Sequence, residues 1–242
     1  MAKKEVAETT TNLPATMNDL MGSSPQEIMD EILQGGAPTF GDLGTIKGPA
    51  GGSEFFTVNG EPVKEFEAVI LWWTYTKGLY EQDSEPQEGV PPICSSNNGK
   101  DGYGSDSREQ FDAGESVKRS CKGCPHDEWG TGSNGGKACG SGAMLYVDTG
   151  VALPNALKVP TGSLKNLKNH AMAINSAYEA RLFTRKTHFS SKAATSKGGI
   201  KYFQFILTDR GEVPAEILAG LEGKIRFCKE LAERPVGPRD NG

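Results

Sequence analysis

No apolar run in this sequence is long enough to cross a bilayer, and no apolar signal peptide opens it. The expectation is a protein of a reducing cytoplasm, where disulfides are rare. Histidine is scarce too: the 3 present do not pair with a plausible nucleophile. The carboxylates sit in loops and tails, not gathered as a two-metal nuclease requires. The expectation is therefore not an enzyme. Apolar residues make up 36% of the 242 and glycines number 31, which predicts one compact domain with long loops and tails.

Apolar residues are scarcest between Cys94 and Cys139, where beyond Tyr103, Phe111, Val117 and Trp129 there is almost nothing to bury. Burial alone cannot offset the entropy of ordering such a segment. Yet it holds Cys94, Cys121, Cys124 and Cys139, four of the 5 cysteines. Cys121-Lys-Gly-Cys124-Pro125 is a C-x-x-C knuckle whose glycine and proline suit a tight turn supplying two thiolates to one tetrahedral Zn²⁺. The reading is one structural zinc ion on these four thiolates, closed to a catalytic water. Redox thiols and unpaired cysteines are the alternatives. A redox C-x-x-C belongs at a helix start in a βαβ unit, and an odd cysteine count does not complete a disulfide framework. His126 reads as a surface histidine. The run from Gly130 to Ala138 resembles a phosphate loop but has alanine where Ser/Thr must hold Mg²⁺, so no nucleotide site is expected.

Residues 1–53 read as a flexible arm. Ser24-Pro25-Gln26-Glu27 caps a short helix over 24–34, and residues 35–53, with seven glycines and two prolines, form a linker. The folded domain spans 54–234, followed by a tail over 235–242. Phe55 to Val58, then Asn59-Gly60, is a type I′ hairpin signal. Phe66 to Tyr75, rich in β-branched and aromatic residues, predicts a strand buried on both faces near its middle. Further strands are expected at Met144 to Val147, Leu153 to Val159, Tyr178 to Ser190 and Ile200 to Thr208. Ser163 is expected to cap a helix over 164–176, with Leu164, Leu167, Ala171 and Ile174 on one face. Pro214 opens a last helix whose apolar stripe includes Cys228, a core thiol. The fold class is mainly β (α+β). The strand order, with one helix between strands, suggests an OB-like five-stranded antiparallel barrel carrying the cysteine loop as an insertion and a C-terminal helix.

From Val151 to Thr208 a single acid, Glu179, faces nine Lys/Arg, so this stretch carries +8 and the rest −13 of the net −5. A segregated basic face on an acidic protein is a polyanion footprint. Aromatics interleave it, as sequence-tolerant single-strand binding requires. The candidate contacts are Lys158, Lys165, Lys168, Arg181, Arg185, Lys186, Phe189, Lys192, Lys197, Lys201 and Tyr202, with Phe183, Phe203 and Phe205 assigned to the core. Lys118, Arg119, Lys122 and Lys137 cluster at the knuckle and extend the groove.

The series Cys94-Ser-Ser-Asn-Asn-Gly, Cys121-x-x-Cys124-Pro125, Glu128-Trp-Gly, Gly136-Lys-Ala-Cys139, a strand, then Pro160-x-x-Ser163-Leu164 resembles a group of phage and mobile-element proteins over roughly residues 56–210. That group bears a zinc-type cysteine loop and is similar to single-stranded-DNA-binding proteins of the OB type. The resemblance implies a non-enzymatic single-stranded-DNA-binding protein for replication or recombination. The partners expected are single-stranded DNA, further copies of itself and, where the 24–34 helix is a detachable arm and not docked back on its own domain, replication or recombination proteins through that helix. A zinc-stapled interaction module of a replication or transcription complex is the rival class.

Overall fold

The computed structural model describes residues 39–49, 53–80, 91–105, 107–132, 135–196, 199 and 201–233. The arm helix expected over 24–34, Lys197 and the 235–242 tail lie outside the described residues. Strand β4, Phe66–Leu79, organises the molecule. Its β-branched and aromatic residues favour extended backbone, and three strands pair with it.

β8 (Cys139–Asp148) runs antiparallel along β4 from Val69 to Leu79. β10 (Arg185–Thr195) pairs antiparallel with β4 at Phe66 to Val69, and β5 (Cys94–Ser96) does so at Lys77 to Leu79. Outside β8 lie β9 (Asn155–Pro160) and then β1 (Gly44–Ile46), the latter parallel. Beyond β5, the sheet continues through β6 (Asp101–Gly104) and β7 (Val117–Ser120), with a short helix α1 (Arg108–Asp112) between them. β11 (Lys201–Glu212) pairs with β10. β2 (Phe56–Val58) and β3 (Glu61–Val63) form a separate hairpin. Its Asn59 and Gly60 both have positive φ, 51° and 88°, as a type I′ turn requires. Helices α2 (Leu164–Tyr178) and α3 (Ala215–Glu233) complete the fold.

The mainly β, α+β class holds, but the expected five-stranded barrel does not close. The result is a mixed nine-stranded sheet that branches at β4. The reason lies at two edges. The outer edge of β9 is taken by β1, from the stretch read as linker, and among the described strands β11 pairs with β10 alone. The cysteine segment also differs from the expected loop, because β5, β6 and β7 extend the sheet as a small meander.

Each face of the sheet buries its own core. On one face Val69, Leu71, Tyr146 and Ala156 pack against Leu221, Phe227, Cys228 and Leu231 of α3. On the other, Ile70, Leu145, Leu157 and Val159 pack with Phe56, Leu167 of α2, Phe189 and Phe205. Burying each such large side chain stabilises by about 2 kcal/mol. The register shift between Ile70 and Trp72 is a bulge. It turns both Leu71 and Trp72 toward α3, where Lys229 Nζ lies 4.9 Å from the Trp72 ring centre.

Ser163 does not cap α2. Its Oγ accepts from the Phe205 amide of β11, and a 3-10 turn at Thr161–Ser163 leads into the helix instead. The helix continues to Tyr178 and ends where Glu179 takes the left-handed conformation, φ 50°. The strand expected from Tyr178 therefore starts only at Arg185, after a 3-10 turn at Leu182–Thr184.

Candidate functional site: the cysteine cavity and the basic surface

Strand register brings the distant cysteines together. Cys94 on β5 and Cys139 on β8 both stand opposite Leu79, on its two sides. Paired residues share a sheet face, so their side chains emerge together. Cys121 follows β7 and its amide donates to Lys100 O at 2.7 Å; Cys124 closes the knuckle through Gly123, whose φ is 75°. All four cysteines line one cavity of about 30 Å³. Gly102 sits beside it, and a Cβ there would lie 3.1 Å from Cys94 Sγ and 3.6 Å from Cys121 Sγ. None of the five cysteines is in a disulfide. Among the described residues, no group of three or more His, Cys, Asp or Glu is arranged to hold a metal ion.

Sequence reading placed Arg119 and Lys137 at the knuckle but missed Lys77 and Asp127. Alternation along β4 puts Lys77 on the face of Leu79, where it pairs with Asp127, which also binds Lys137 Nζ at 3.2 Å. Arg119 and a half-buried His126 border the same cavity, so His126 is not the plain surface residue expected. Burial pushes the Cys139 thiol up to about 11, against the opposite pull of Lys77. Burial would also raise the Asp127 carboxyl, but hydrogen bonds and charge from Lys77 and Lys137 outweigh it and hold the group below its usual range.

The basic residues divide among three places. Lys158 lies on the α3 face of the sheet, opposite Met144, which in turn stands opposite Thr74. Lys165 and Lys168 are exposed on α2. Lys192 and Lys201 are exposed at the far end of the β10–β11 hairpin. Arg181 is exposed just before β10, and Lys186 is half-buried opposite Val69. The structure joins the second and third groups. Lys192 pairs with Gln204, whose Nε2 donates to Gly162 O three residues before Lys165. Tyr202, also expected at the surface, is half-buried with its ring against Gly162; a Cβ there would come within 2.7 Å of it. Lys118 pairs with Asp101 at 3.7 Å, and Lys122 is exposed beside the knuckle.

Two candidates are corrected. Phe189 is fully buried and stacked on Phe66, centroids 4.7 Å apart and planes 4° from parallel, so it offers no ring to a base. Its inward side of β10 was fixed by the register with β4. Arg185 is also buried: its guanidinium forks onto Asp209 at 2.6–2.9 Å and lies 3.7 Å from the centre of the Tyr178 ring. Of the remaining candidates, Lys158, Lys165, Lys168, Arg181, Lys186, Lys192 and Lys201 form no ion pair with any described residue. Trp72, at 36% exposure the most accessible aromatic of the sheet's α3 face, was missed because the bulge that exposes it leaves no sequence signal.

No protein-family model, no curated protein and no solved structure matches the chain. No helix among the described residues is long and apolar enough to cross a membrane.

Proposed function

We propose that the protein binds single-stranded DNA without sequence preference, in replication or recombination, with a zinc ion as a structural staple. The observation that carries the reading is the set of seven basic residues that lack ion-pair partners among the described residues. They come from a stretch with one acid, and six of them are exposed. Basic groups that do not neutralise the protein's own carboxylates are available to phosphates, and binding releases the counterions that phosphates hold. The order β4, β8, β9, α2, β10, β11 keeps the strand–helix succession of an OB-like unit, although its sheet stays open.

Cys94, Cys121, Cys124 and Cys139 would hold the zinc. The fit rests on the shared cavity and on Gly102, whose missing side chain leaves room beside two of the sulfurs. Four thiolates around Zn²⁺ leave a net −2, which Lys77 and Arg119 at the cavity wall partly offset. The metal's contribution is cohesion of the β5–β7 meander, whose own apolar cluster consists of Leu79, Ile93 and Cys139 with a few half-buried neighbours.

Fluorescence anisotropy with labelled single-stranded and duplex oligonucleotides at two salt concentrations tests the function. Tight, salt-sensitive binding that prefers single strands is expected. Equal indifference to both would sink the reading and leave the unpaired basic residues to docking with another acidic partner. Metal analysis of the purified chain should find one zinc per molecule, and chelation should expose the 94–139 segment to protease.

A further inference from the structure

Trp129 is 81% exposed, the most exposed large apolar side chain among the described residues. An indole ordinarily buries most of its surface. This one has no aromatic or cationic partner among the described residues. It does not fold back over the far side of its own turn either, since a Cβ at Gly135 or Gly136 would meet nothing within 4 Å. The turn that carries it is nevertheless fixed. The Thr131 hydroxyl donates to Glu128 O at 2.7 Å, lies 3.2 Å from His126 O, and accepts from the Ala138 amide at 3.0 Å. The Gly130 and Gly132 amides both donate to Gly136 O, at 3.0 and 2.9 Å. Asp127, two residues before the ring, binds Lys77 of β4 and, at 3.2 Å, Lys137. Both sides of the turn are thus tied down, with Cys124 and Cys139 bracketing it.

We infer that Trp129 is a stacking platform for one base of the bound single strand, so that the cysteine segment belongs to the DNA-binding surface and is more than a staple. The inference rests on the single-strand reading above. A lone ring on a fixed turn offers one preorganised plane, and stacking accepts any base because every base has a π-face. A protein partner would need a contiguous apolar core around the ring. The chain neighbours Glu128, Gly130, Thr131 and Gly132 add no large apolar side chain to one. The charges of the turn leave room for phosphate. Asp127 is met by two lysines, and Lys122 of the knuckle is exposed and forms no ion pair with a described residue. Glu128 alone opposes a polyanion there: it is exposed beside the ring, with no ion-pair partner among the described residues.

The test titrates the full chain with labelled oligo(dT) and with an abasic oligonucleotide of the same length. Trp129→Ala should weaken oligo(dT) binding roughly tenfold. The salt slope should not change, because stacking releases no counterions. Trp129→Phe keeps a stacking ring and should recover most of the loss. On the abasic strand, parent and Trp129→Ala should bind alike. Glu128→Gln should strengthen oligo(dT) binding roughly twofold by removing the opposing charge. Oligo(dT) binding that is indifferent to Trp129→Ala would overturn the inference and leave the single-strand reading standing. So would an equal loss on the abasic strand, since the ring would then support the fold or touch the backbone instead of a base. Failure of the parent to bind either oligonucleotide would remove the reading and the inference together.

Discussion

His170 of α2 is 7% exposed, and its Nε2 lies 3.0 Å from Thr187 Oγ1 on β10. Burial holds its imidazole below the ordinary 6.5, only partly opposed by the charge of Asp209. The folded chain thus disfavours the protonated ring, while the unfolded chain binds a proton at the ordinary value. Stability linked to this group is complete above 6.5 and is lost as pH falls from there through the lowered folded value. Urea midpoints measured down that range should fall in the parent and fall less steeply in His170→Gln; parallel slopes would assign the loss to other groups. A second buried polar pair ties α3 to the sheet. Lys224 Nζ donates to Asp148 Oδ1 at 2.7 Å and to Val151 O at 2.6 Å. Lys224→Met strands a buried carboxylate and should cost about 3 kcal/mol. The double variant Lys224→Met/Asp148→Leu should recover most of that midpoint loss.

The β5–β7 meander depends on glycine at two neighbouring positions for different reasons. A Cβ at Gly104 would lie 2.3 Å from both Cys94 Cα and Ile93 O, a clash with backbone that cannot relax cheaply. A Cβ at Gly102 would lie 3.1 Å from Cys94 Sγ, a side-chain atom that can give way. Gly104→Ala should therefore loosen β5 from β6, by about 1–3 kcal/mol, and open the 94–139 segment to protease even in zinc-saturated buffer. Gly102→Ala should keep the meander, and with the proposed zinc bound it should release the metal to a chelator faster than the parent. Equal protease resistance of Gly104→Ala and the parent would refute this account of the packing.

The sequence carries its charge in separated regions, +8 over 151–208 and −13 elsewhere, and the proposed single-strand binding predicts a salt response from it. Replacing both Lys165 and Lys168 by glutamine should weaken single-strand binding evenly across sequences. It should also flatten the slope of log affinity against log salt by about 1.4. A changed sequence preference instead would mean that these lysines read bases. Lys158 belongs to the sheet's other face, beside Trp72 and Lys229, so Lys158→Gln separates a strand path over that face from one along α2 and the hairpin.

Composition and local pattern were enough to determine the mainly β class, the Asn59-Gly60 turn, β4, the two helices α2 and α3, and Cys228 as a core thiol. Each of these depends on neighbours a few residues apart, through turn stereochemistry, β-branching or helical periodicity. The gathering of Cys94, Cys121, Cys124 and Cys139 around one cavity was anticipated from their spacing, and Arg119 was placed at the knuckle, but Lys77 was not, because register between remote strands brings β4 there. Tertiary structure alone decided that Phe189 faces inward and that Arg185 is taken by Asp209. It also decided that β1 occupies the edge a closing strand would need, and that Ser163 and Asn166 hold the backbone of β11 at Phe205. Strand alternation in sequence specifies two faces but not which one is buried; pairing between residues far apart in the chain makes that choice.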